Sequence, residues 1–299
     1  MSCPIFDSCN NIIPVPESPL YQTLKNCSPF FVLAGPNVIE QECPERCVKI
    51  ALEMKEICKR QNMPYVFKTS FDKANRSSLT SYRGPPIKQS LEVFSRIKKL
   101  DIPVVTDVHE TWQVELVAPH VDILQIPAFL CRQTDLLRKA AESGKIIHIK
   151  KGQFATPEML HAAADKVRAC GNPQILLCER GNTWGYGDLI VDPRNLVALR
   201  HPCREHLVTM DITHSLQKPG QGSSDKTLIC SGGARDLIPT IARTAVAVGV
   251  DGIFMEVHDD PESSPCDGPT QWPLHQAEPL LAELANIAKA SLGKITHYV

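Results

Sequence analysis

The sequence predicts an α/β fold in which eight strands alternate with helices. Short apolar runs rich in β-branched residues recur along the chain, and helix-length segments separate most of them. The runs lie at residues 30–36, 65–71, 102–108, 122–128, 145–151, 174–180, 207–214 and 252–258. Most are continuously apolar at their start, as expected of parallel strands buried on both faces. Eight alternations of strand and helix are the plan of a (β/α)8 TIM barrel.

The segments between the runs carry helix start and stop signals. Residues 44–62 open with a proline and have apolar residues at three- and four-residue spacing. Residues 156–171 begin with an N-cap, Thr156, followed by proline, and they close on a glycine. Residues 233–249 also end on a glycine. Each of these segments therefore predicts a helix.

The chain is expected to form one domain. No linker composition or repeated motif divides it, so we predict an N-terminal arm over residues 1–28 and a single barrel domain over residues 29–299. The arm is rich in Pro, Asn and Ser, which favours a loose segment or a short pair of strands. An open doubly wound sheet is the alternative to the barrel. Such a sheet would show a glycine-rich nucleotide loop after an early strand, and AGPNVIE is not one.

Composition argues against several classes of protein. With 32 basic and 33 acidic side chains the formal net charge is -1, whereas a nucleic-acid binder is expected to carry a basic excess. No apolar run approaches the roughly 18 residues that span a bilayer. The 12 cysteines include no C-x-x-C pair, and the first residues lack an apolar signal region. These features predict a cytoplasmic protein with free thiols and no nucleic-acid or membrane partner.

Charged and amide residues follow the apolar part of most runs. They are Asn37, Lys68, Asp107 with His109, Gln125, Lys150 with Lys151, Glu179 with Arg180, Asp211 with His214, and Glu256 with His258. In a TIM barrel the carboxyl ends of all the strands meet on the face that carries the active site. One such residue would be explained by exposure to water. Their presence on nearly all the strands favours a functional face.

This predicted face has an excess of cations over a nearly neutral chain. The cations are Lys68, Lys73, Arg76, Arg180 and one of Lys150 and Lys151. Such a cluster suits a substrate with several negative charges, since arginine binds phosphate or carboxylate in bidentate fashion. Successive strand side chains point to opposite faces, so only one of the two adjacent lysines points into the barrel. The sequence leaves open which one.

Two loops extend this face. Residues 70–85 are dense in hydrogen-bond donors, and an arginine beside two hydroxyls favours a phosphate-binding loop over a solvated turn. Residues 258–273 follow the last strand and are rich in Pro, Asp and Ser. Loops at this end of a barrel commonly carry function.

A histidine and two carboxylates on the last two strand–helix units raise the question of a metal. With a thiolate, His214, Glu256 and Asp267 could hold a divalent transition metal. The residue on the first strand end, however, is Asn37, and an amide is a far poorer ligand than a thiolate. Cys266 is an alternative fourth ligand. We favour a hydrogen-bonded network that orients water or substrate, with no metal and no other cofactor.

Nine motifs in order, from about residue 30 to 275, carry a family resemblance. They are AGPNVIE, FKTSFDKANRSS, YRGP, TDVHE, QIPAFLCRQTDLL, IKKGQF, CERGNTWGYGDLIVDPR, DITHSLQ and MEVHDDPESSPCDGPTQWPL. Together they closely resemble the 3-deoxy-D-manno-octulosonate 8-phosphate synthases, and KANRSS is especially specific. The resemblance implies a TIM barrel, usually a homotetramer, that condenses phosphoenolpyruvate with arabinose 5-phosphate and releases phosphate.

The resemblance also implies roles for individual residues. Phosphoenolpyruvate would be bound by Lys68, Lys73, Lys150 and Arg180. The sugar phosphate would be held by Asn75, Arg76 and Ser77, with Arg132 reaching in from a neighbouring subunit. The pocket would be lined by Asp107, Gln125, Ala128, Phe129 and Gln153. The residues expected nearest the chemistry are Asn37, Lys73, His214, Glu256 and Asp267.

The family has a metal-dependent branch with cysteine at the first ligand position and a metal-independent branch with asparagine there. Asn37 resembles the second branch, although KKGQF and TQWPL also occur in the first. Two motif stretches, FLCRQTDLL and TAVAVGVDGIFMEVHDDP, are similar to the plant enzymes. Two alternatives remain at this point. One is the related condensation with erythrose 4-phosphate, against which KANRSS argues, and the other is a catalytically inactive barrel that serves as a binding protein.

Overall fold

Eight parallel strands form a closed barrel. The computed structural model describes residues 14–76, 78–200, 206–218 and 232–291. The strands are β1 Phe31–Gly35, β2 Tyr65–Lys68, β3 Val104–Asp107, β4 Ile123–Ile126, β5 Ile146–Lys150, β6 Ile175–Glu179, β7 Leu207–Asp211 and β8 Gly252–His258. Each pairs with the next, and β8 pairs back to β1. Closure confirms the predicted (β/α)8 barrel and excludes the open sheet, and every predicted run contributes its strand.

Helices surround the strands. They are α1 Pro19–Asn26, α2 Glu45–Arg60, α3 Ile87–Lys98, α4 Thr111–Val117, α5 Thr134–Glu142, α6 Pro157–Arg168, α7 Pro193–Leu199, α8 Ile238–Val248 and α9 Ala277–Ala290. The three predicted helices correspond to α2, α6 and α8. Thr156 caps α6 by accepting a hydrogen bond from the backbone N–H of Met159, and Gly249 ends α8 in the left-handed conformation. None of the helices in the described ranges is long and apolar enough to cross a membrane.

The amino-terminal segment closes the bottom of the barrel. The prediction of a loose arm or a strand pair is wrong for Pro19–Asn26, which is helix α1 and begins at the N-cap Ser18. Tyr21 and Leu24 are buried against the apolar side chains inside the barrel. The division into an arm over residues 1–28 and a barrel over 29–299 stays a prediction, since both ends of the chain lie outside the described residues.

The alternation of side chains along the strands determines where polar residues lie inside the barrel. The lower barrel interior is filled by apolar side chains, namely Phe31, Leu33, Val66, Val105, Ile123, Ile146, Leu176, Leu207 and Phe254. Because side chains alternate along a strand, positions two or four residues further on point into the same interior. On six strands these positions include polar residues, namely Lys68, Asp107, Gln125, Lys150, Asp211 and Glu256. The interior therefore changes from apolar to charged toward the carboxyl ends of the strands.

Candidate active site

A cavity of about 190 Å³ opens at the carboxyl ends of the strands. Most of the sequence-predicted site residues line it: Lys68, Lys73, Asn75, Arg76, Asp107, Gln125, Ala128, Phe129, Lys150, Gln153, Arg180, His214 and Asp267. Asn37 and Glu256 are fully buried and contact residues of the cavity wall. Arg132 is exposed and is not part of the wall, and Ser77 lies outside the described residues.

The structure settles which of the two adjacent lysines faces the cavity. Lys150 points inward, where its Nζ donates to the Asp211 carboxylate and lies 3.1 Å from the centroid of the Phe254 ring. Lys151 points outward and is completely buried behind the strands. There its Nζ donates to the carbonyl oxygen of Gly181 at 3.1 Å and lies 3.4 Å from Glu179 Oε1.

Two arginines keep donor groups available inside the cavity. Arg180 follows β6 and donates from Nη2 to Gln217 Oε1 at 3.4 Å, while its buried Nη1 has no partner among the described residues. Arg76 lies on the loop after β2, and its buried Nε likewise has no partner in the described part of the chain. Its Nη1 is 3.9 Å from Asp267 Oδ1. Buried guanidinium N–H groups without partners are suited to an anion supplied from outside.

A buried carboxylate contacts two lysines, Lys68 at the end of β2 and Lys73 on the loop after it. Glu256 Oε1 lies 3.3 Å from Lys68 Nζ and 3.9 Å from Lys73 Nζ. Burial alone would raise the pKa of Glu256, but His214 and the two lysines lower it to about 2. Burial, together with the charge of Lys73, lowers the pKa of Lys68. Burial acts the same way on Lys73, but Glu256 and Asp107 outweigh it and raise the pKa of that lysine. Glu256 is therefore ionised at neutral pH.

Five residues of the cavity wall, Ser70, His109, Pro127, Asp211 and Gln217, were absent from the predicted site. Ser70 Oγ donates to Asp107 Oδ1 at 2.6 Å, and His109 Nε2 lies 3.1 Å from Asp107 Oδ2. His109 and Asp211 belong to the pattern of polar strand ends, which was the signal that could have found them. Ser70 and Gln217 carry no such signal, because serine and glutamine are common on any exposed loop.

The metal question concerns one hydrogen-bonded group. Potential ligand atoms of His214, Glu256 and Asp267 lie within 4.8 Å of one another. Asn37 Nδ2 donates to Glu256 Oε2 at 2.6 Å and to Asp267 Oδ2 at 3.1 Å. Cys266 is not part of this group, and its thiol lies 3.6 Å from the carbonyl oxygen of Tyr82. The amide of Asn37 thus bridges the two carboxylates with its own hydrogens.

Known proteins resemble this chain over most of its length. A model of the DAHP synthetase I family matches residues 25–291. The 2-dehydro-3-deoxyphosphooctonate aldolase 1 of Arabidopsis thaliana is 56% identical over 277 residues, which is 92% of this chain and 94% of that protein. The aldolase of the same name from Pisum sativum is 56% identical over 281 residues, 93% and 95% of the two chains. The one from Acidithiobacillus ferrooxidans is 47% identical over 262 residues, 87% and 89%. Identity is higher with the two plant proteins, as the motif stretches predicted.

Proposed function

The chain belongs to the DAHP synthetase I family, and on that premise we propose that it condenses phosphoenolpyruvate with D-arabinose 5-phosphate and water. The products are 3-deoxy-D-manno-octulosonate 8-phosphate and inorganic phosphate. Relatives that are 46–56% identical carry the name of the enzyme for this reaction. The family model alone does not distinguish arabinose 5-phosphate from erythrose 4-phosphate as the second substrate. The names of these relatives and the KANRSS motif favour arabinose 5-phosphate.

The observation that carries the proposal is the charge of the cavity. Five cations line it: Lys68, Lys73, Arg76, Lys150 and Arg180. The two arginines have buried N–H groups that contact no acceptor among the residues that the structure describes. Both substrates carry phosphate, and phosphoenolpyruvate also carries a carboxylate, so a cluster of fixed donors matches them. In this proposal Lys68, Lys73, Lys150 and Arg180 bind phosphoenolpyruvate, and Asn75, Arg76 and Ser77 bind the sugar phosphate.

The cavity also has a group suited to the charge that develops during the reaction. The methylene carbon of phosphoenolpyruvate attacks the aldehyde carbon, water adds to the second carbon, and the bond from that carbon to the phosphate oxygen then breaks. Positive charge develops at the second carbon, and the carboxylates of Glu256 and Asp267 are placed to stabilise it. Lysine and arginine hold the anionic groups, so orientation and fixed charges supply most of the catalysis.

We propose that the reaction needs no divalent metal. The donor set consists of an imidazole, two carboxylates and an amide, and it lacks the thiolate that a soft or borderline metal prefers. Asn37 Nδ2 already supplies the positive end of a dipole to both carboxylates. Lys68 and Lys73 add full charges beside Glu256. The residues therefore fit a hydrogen-bonded network better than a transition-metal site, and Asn37 and His214 would position water and substrate.

The proposal extends to assembly and location. Arg132 is exposed, so it is available to complete the site of a neighbouring copy in the homotetramer that the resemblance implies. A cytoplasmic location is supported by the cysteines, because all eight in the described ranges are free thiols.

Phosphate release from phosphoenolpyruvate tests the function. The assay is run with arabinose 5-phosphate, with erythrose 4-phosphate and with no sugar. We expect release only with arabinose 5-phosphate, and mass spectrometry should show an eight-carbon product. Release only with erythrose 4-phosphate would instead support the related condensation. No release with either sugar, together with no heat of phosphoenolpyruvate binding in calorimetry, would support the inactive barrel.

A further inference from the structure

Asp211, at the end of β7, accepts hydrogen bonds from several sides. Its Oδ1 accepts from the backbone N–H groups of Thr213 at 3.0 Å and His214 at 2.9 Å. Its Oδ2 accepts from Lys150 Nζ and lies 2.9 Å from His214 Nδ1. The carboxylate is completely buried, although it forms part of the cavity wall. Oδ2 therefore holds two side chains that the proposed reaction uses, while Oδ1 is fixed by the backbone after β7.

These bonds leave His214 and Lys150 little freedom. An ionised carboxylate only accepts hydrogen bonds, so His214 Nδ1 carries a hydrogen, and the other ring nitrogen faces the reaction centre. That second nitrogen, Nε2, lies 3.4 Å from Glu256 Oε1. The ammonium of Lys150 is held between Asp211 and the face of the Phe254 ring. One carboxylate thus orients two side chains, one from β5 and one from the turn after β7.

We propose that Asp211 is a positioning residue, which fixes the ammonium of Lys150 where phosphoenolpyruvate binds and, through the hydrogen on His214 Nδ1, fixes the orientation of that imidazole. The inference rests on the proposed function, because it takes phosphoenolpyruvate as the anion at Lys150. Asp211 itself does not have to touch the substrate. Its effect passes through the two side chains that it holds, as with the outer partners that orient metal-bound or catalytic histidines.

The variant Asp211→Asn keeps the shape of the side chain and removes its charge. The amide oxygen can still accept from the backbone after β7, but the NH₂ group then faces two donors, Lys150 Nζ and His214 Nδ1. We expect kcat/KM for phosphoenolpyruvate to fall about 10- to 100-fold, through both a higher KM and a lower kcat. The KM for arabinose 5-phosphate should stay unchanged. A purely structural role would not separate the two substrates in this way.

Asp251→Asn is the matched control. Asp251 is equally buried and also accepts from a backbone N–H, that of Val208 at 2.7 Å, and from an arginine, Arg200. It precedes β8, however, at the opposite end of the barrel from the cavity. We expect this variant to lose stability while keeping both KM values and kcat. If Asp211→Asn has the kinetic constants of Asp251→Asn, the proposal is wrong.

A second measurement needs no change at Asp211. Long-range ¹H–¹⁵N correlation spectra report which imidazole nitrogen carries the hydrogen, and a spectrum of His214→Gln assigns the signal. We expect a hydrogen on Nδ1 of His214 in the unchanged protein and a shift to Nε2 alone in Asp211→Asn. A bare Nδ1 in the unchanged protein would overturn the proposal even if the variant does not fold. If the unchanged protein releases no phosphate, the proposed function fails, but the spectrum still decides whether Asp211 orients His214.

Discussion

The two adjacent lysines at the end of β5 allow a direct test of how the barrel divides structure from function. Lys150→Met and Lys151→Met make the same chemical change one residue apart. Methionine has about the length of lysine but no charge, so each variant removes an ammonium group and keeps most of the packing. Because the two side chains point to opposite faces of the strand, we expect opposite consequences.

Lys151→Met should lower stability. Lys151 Nζ donates to the carbonyl oxygens of Gly152, Ala155 and Gly181 at 3.4, 3.3 and 3.1 Å, and it lies 3.4 Å from Glu179 Oε1. Its removal leaves a buried carboxylate without its counter-ion, and breaking such a pair costs about 3–5 kcal/mol. The free energy of unfolding, measured by urea denaturation, should fall by that amount.

Lys150→Met should instead weaken substrate binding. Asp211 keeps its bonds to His214 and to two backbone N–H groups, and it borders the cavity, so the loss of stability should be smaller than for Lys151→Met. A hydrogen bond to a charged group contributes about 1.5–3 kcal/mol. Losing one to phosphoenolpyruvate should raise its dissociation constant roughly 10- to 150-fold. Calorimetric titration with phosphoenolpyruvate measures this constant, and the phosphate-release assay follows the loss of activity.

The reverse pattern would refute this reasoning. If Lys151→Met binds phosphoenolpyruvate more weakly than Lys150→Met and unfolds at the same urea concentration as the unchanged protein, then Lys151 faces the ligand. Equal effects of both variants on binding and on stability would also contradict it, because side chains on opposite faces of a strand have different surroundings.

Three further predictions concern other parts of the molecule. The activity of the unchanged protein should survive exhaustive chelation. The variant Asn37→Cys, in contrast, should gain activity when a divalent metal is added and lose it on chelation. If chelation removes the activity of the unchanged protein and a divalent metal restores it, the metal-free proposal is wrong. His206 is buried and its ring lies 2.6 Å from the carbonyl oxygen of Leu199. Burial, with the nearby Arg168, lowers the pKa of His206 from 6.5 to about 4. Between these values the unfolded chain binds more protons than the folded chain, so the free energy of unfolding decreases as the pH falls. The loss should be about 2 kcal/mol from pH 7 to pH 5. His206→Gln should remove that part of the pH dependence in urea titrations, and an unchanged slope would contradict the assignment. Finally, Arg132→Ala and Lys150→Met should each be nearly inactive alone, while refolded mixtures should regain phosphate release if Arg132 completes a neighbouring site.

The barrel was predictable because each strand has a recognisable pattern in the sequence. The run of β5, for example, has isoleucine at positions 146, 147 and 149 around one buried histidine, His148, and ends in lysine where it reaches the cavity. Helix α1 was missed although Ser18 and Pro19 are ordinary N-cap and first-turn residues. An eight-residue helix is marginal by itself, and this one depends on burying Tyr21 and Leu24 under the barrel. That contact is between distant parts of the chain, which local patterns do not report.

The contents of the cavity were predictable to different degrees. Charged residues at strand ends stood out, because their position after an apolar run is unusual. Gln217 did not, yet it joins Arg180 Nη2 to Asp267 Oδ1. Nor did Gln271, whose Oε1 accepts from the backbone N–H of Asn37 at 3.2 Å. Amides of this kind have a role because residues distant in the sequence lie close together in the fold, and their spacing along the chain does not predict these contacts. The strand pleat likewise predicts that Lys150 and Lys151 point to opposite faces, but it does not predict which of the two faces the cavity.

The carboxylates in the wall of the cavity can be explained in two ways, which predict opposite effects on the binding of phosphoenolpyruvate. Asp107, Asp211 and Asp267 line a cavity meant for anions, and each carries the same sign of charge as the substrates. If overall potential governed binding, neutralising Asp211 would strengthen the attraction for phosphoenolpyruvate. If the carboxylates serve to hold cations in place before the substrate arrives, the same change weakens binding, because the ordering of Lys150 must then be achieved during binding. The hydrogen bond from Lys150 to Asp211 and the position of the ammonium over the Phe254 ring favour the second account. The affinity of Asp211→Asn for phosphoenolpyruvate, measured at low and at high salt, decides between the two accounts. Tighter binding than in the unchanged protein, lost at high salt, would support the account based on overall potential. Weaker binding at both salt concentrations would support preorganisation of the cations.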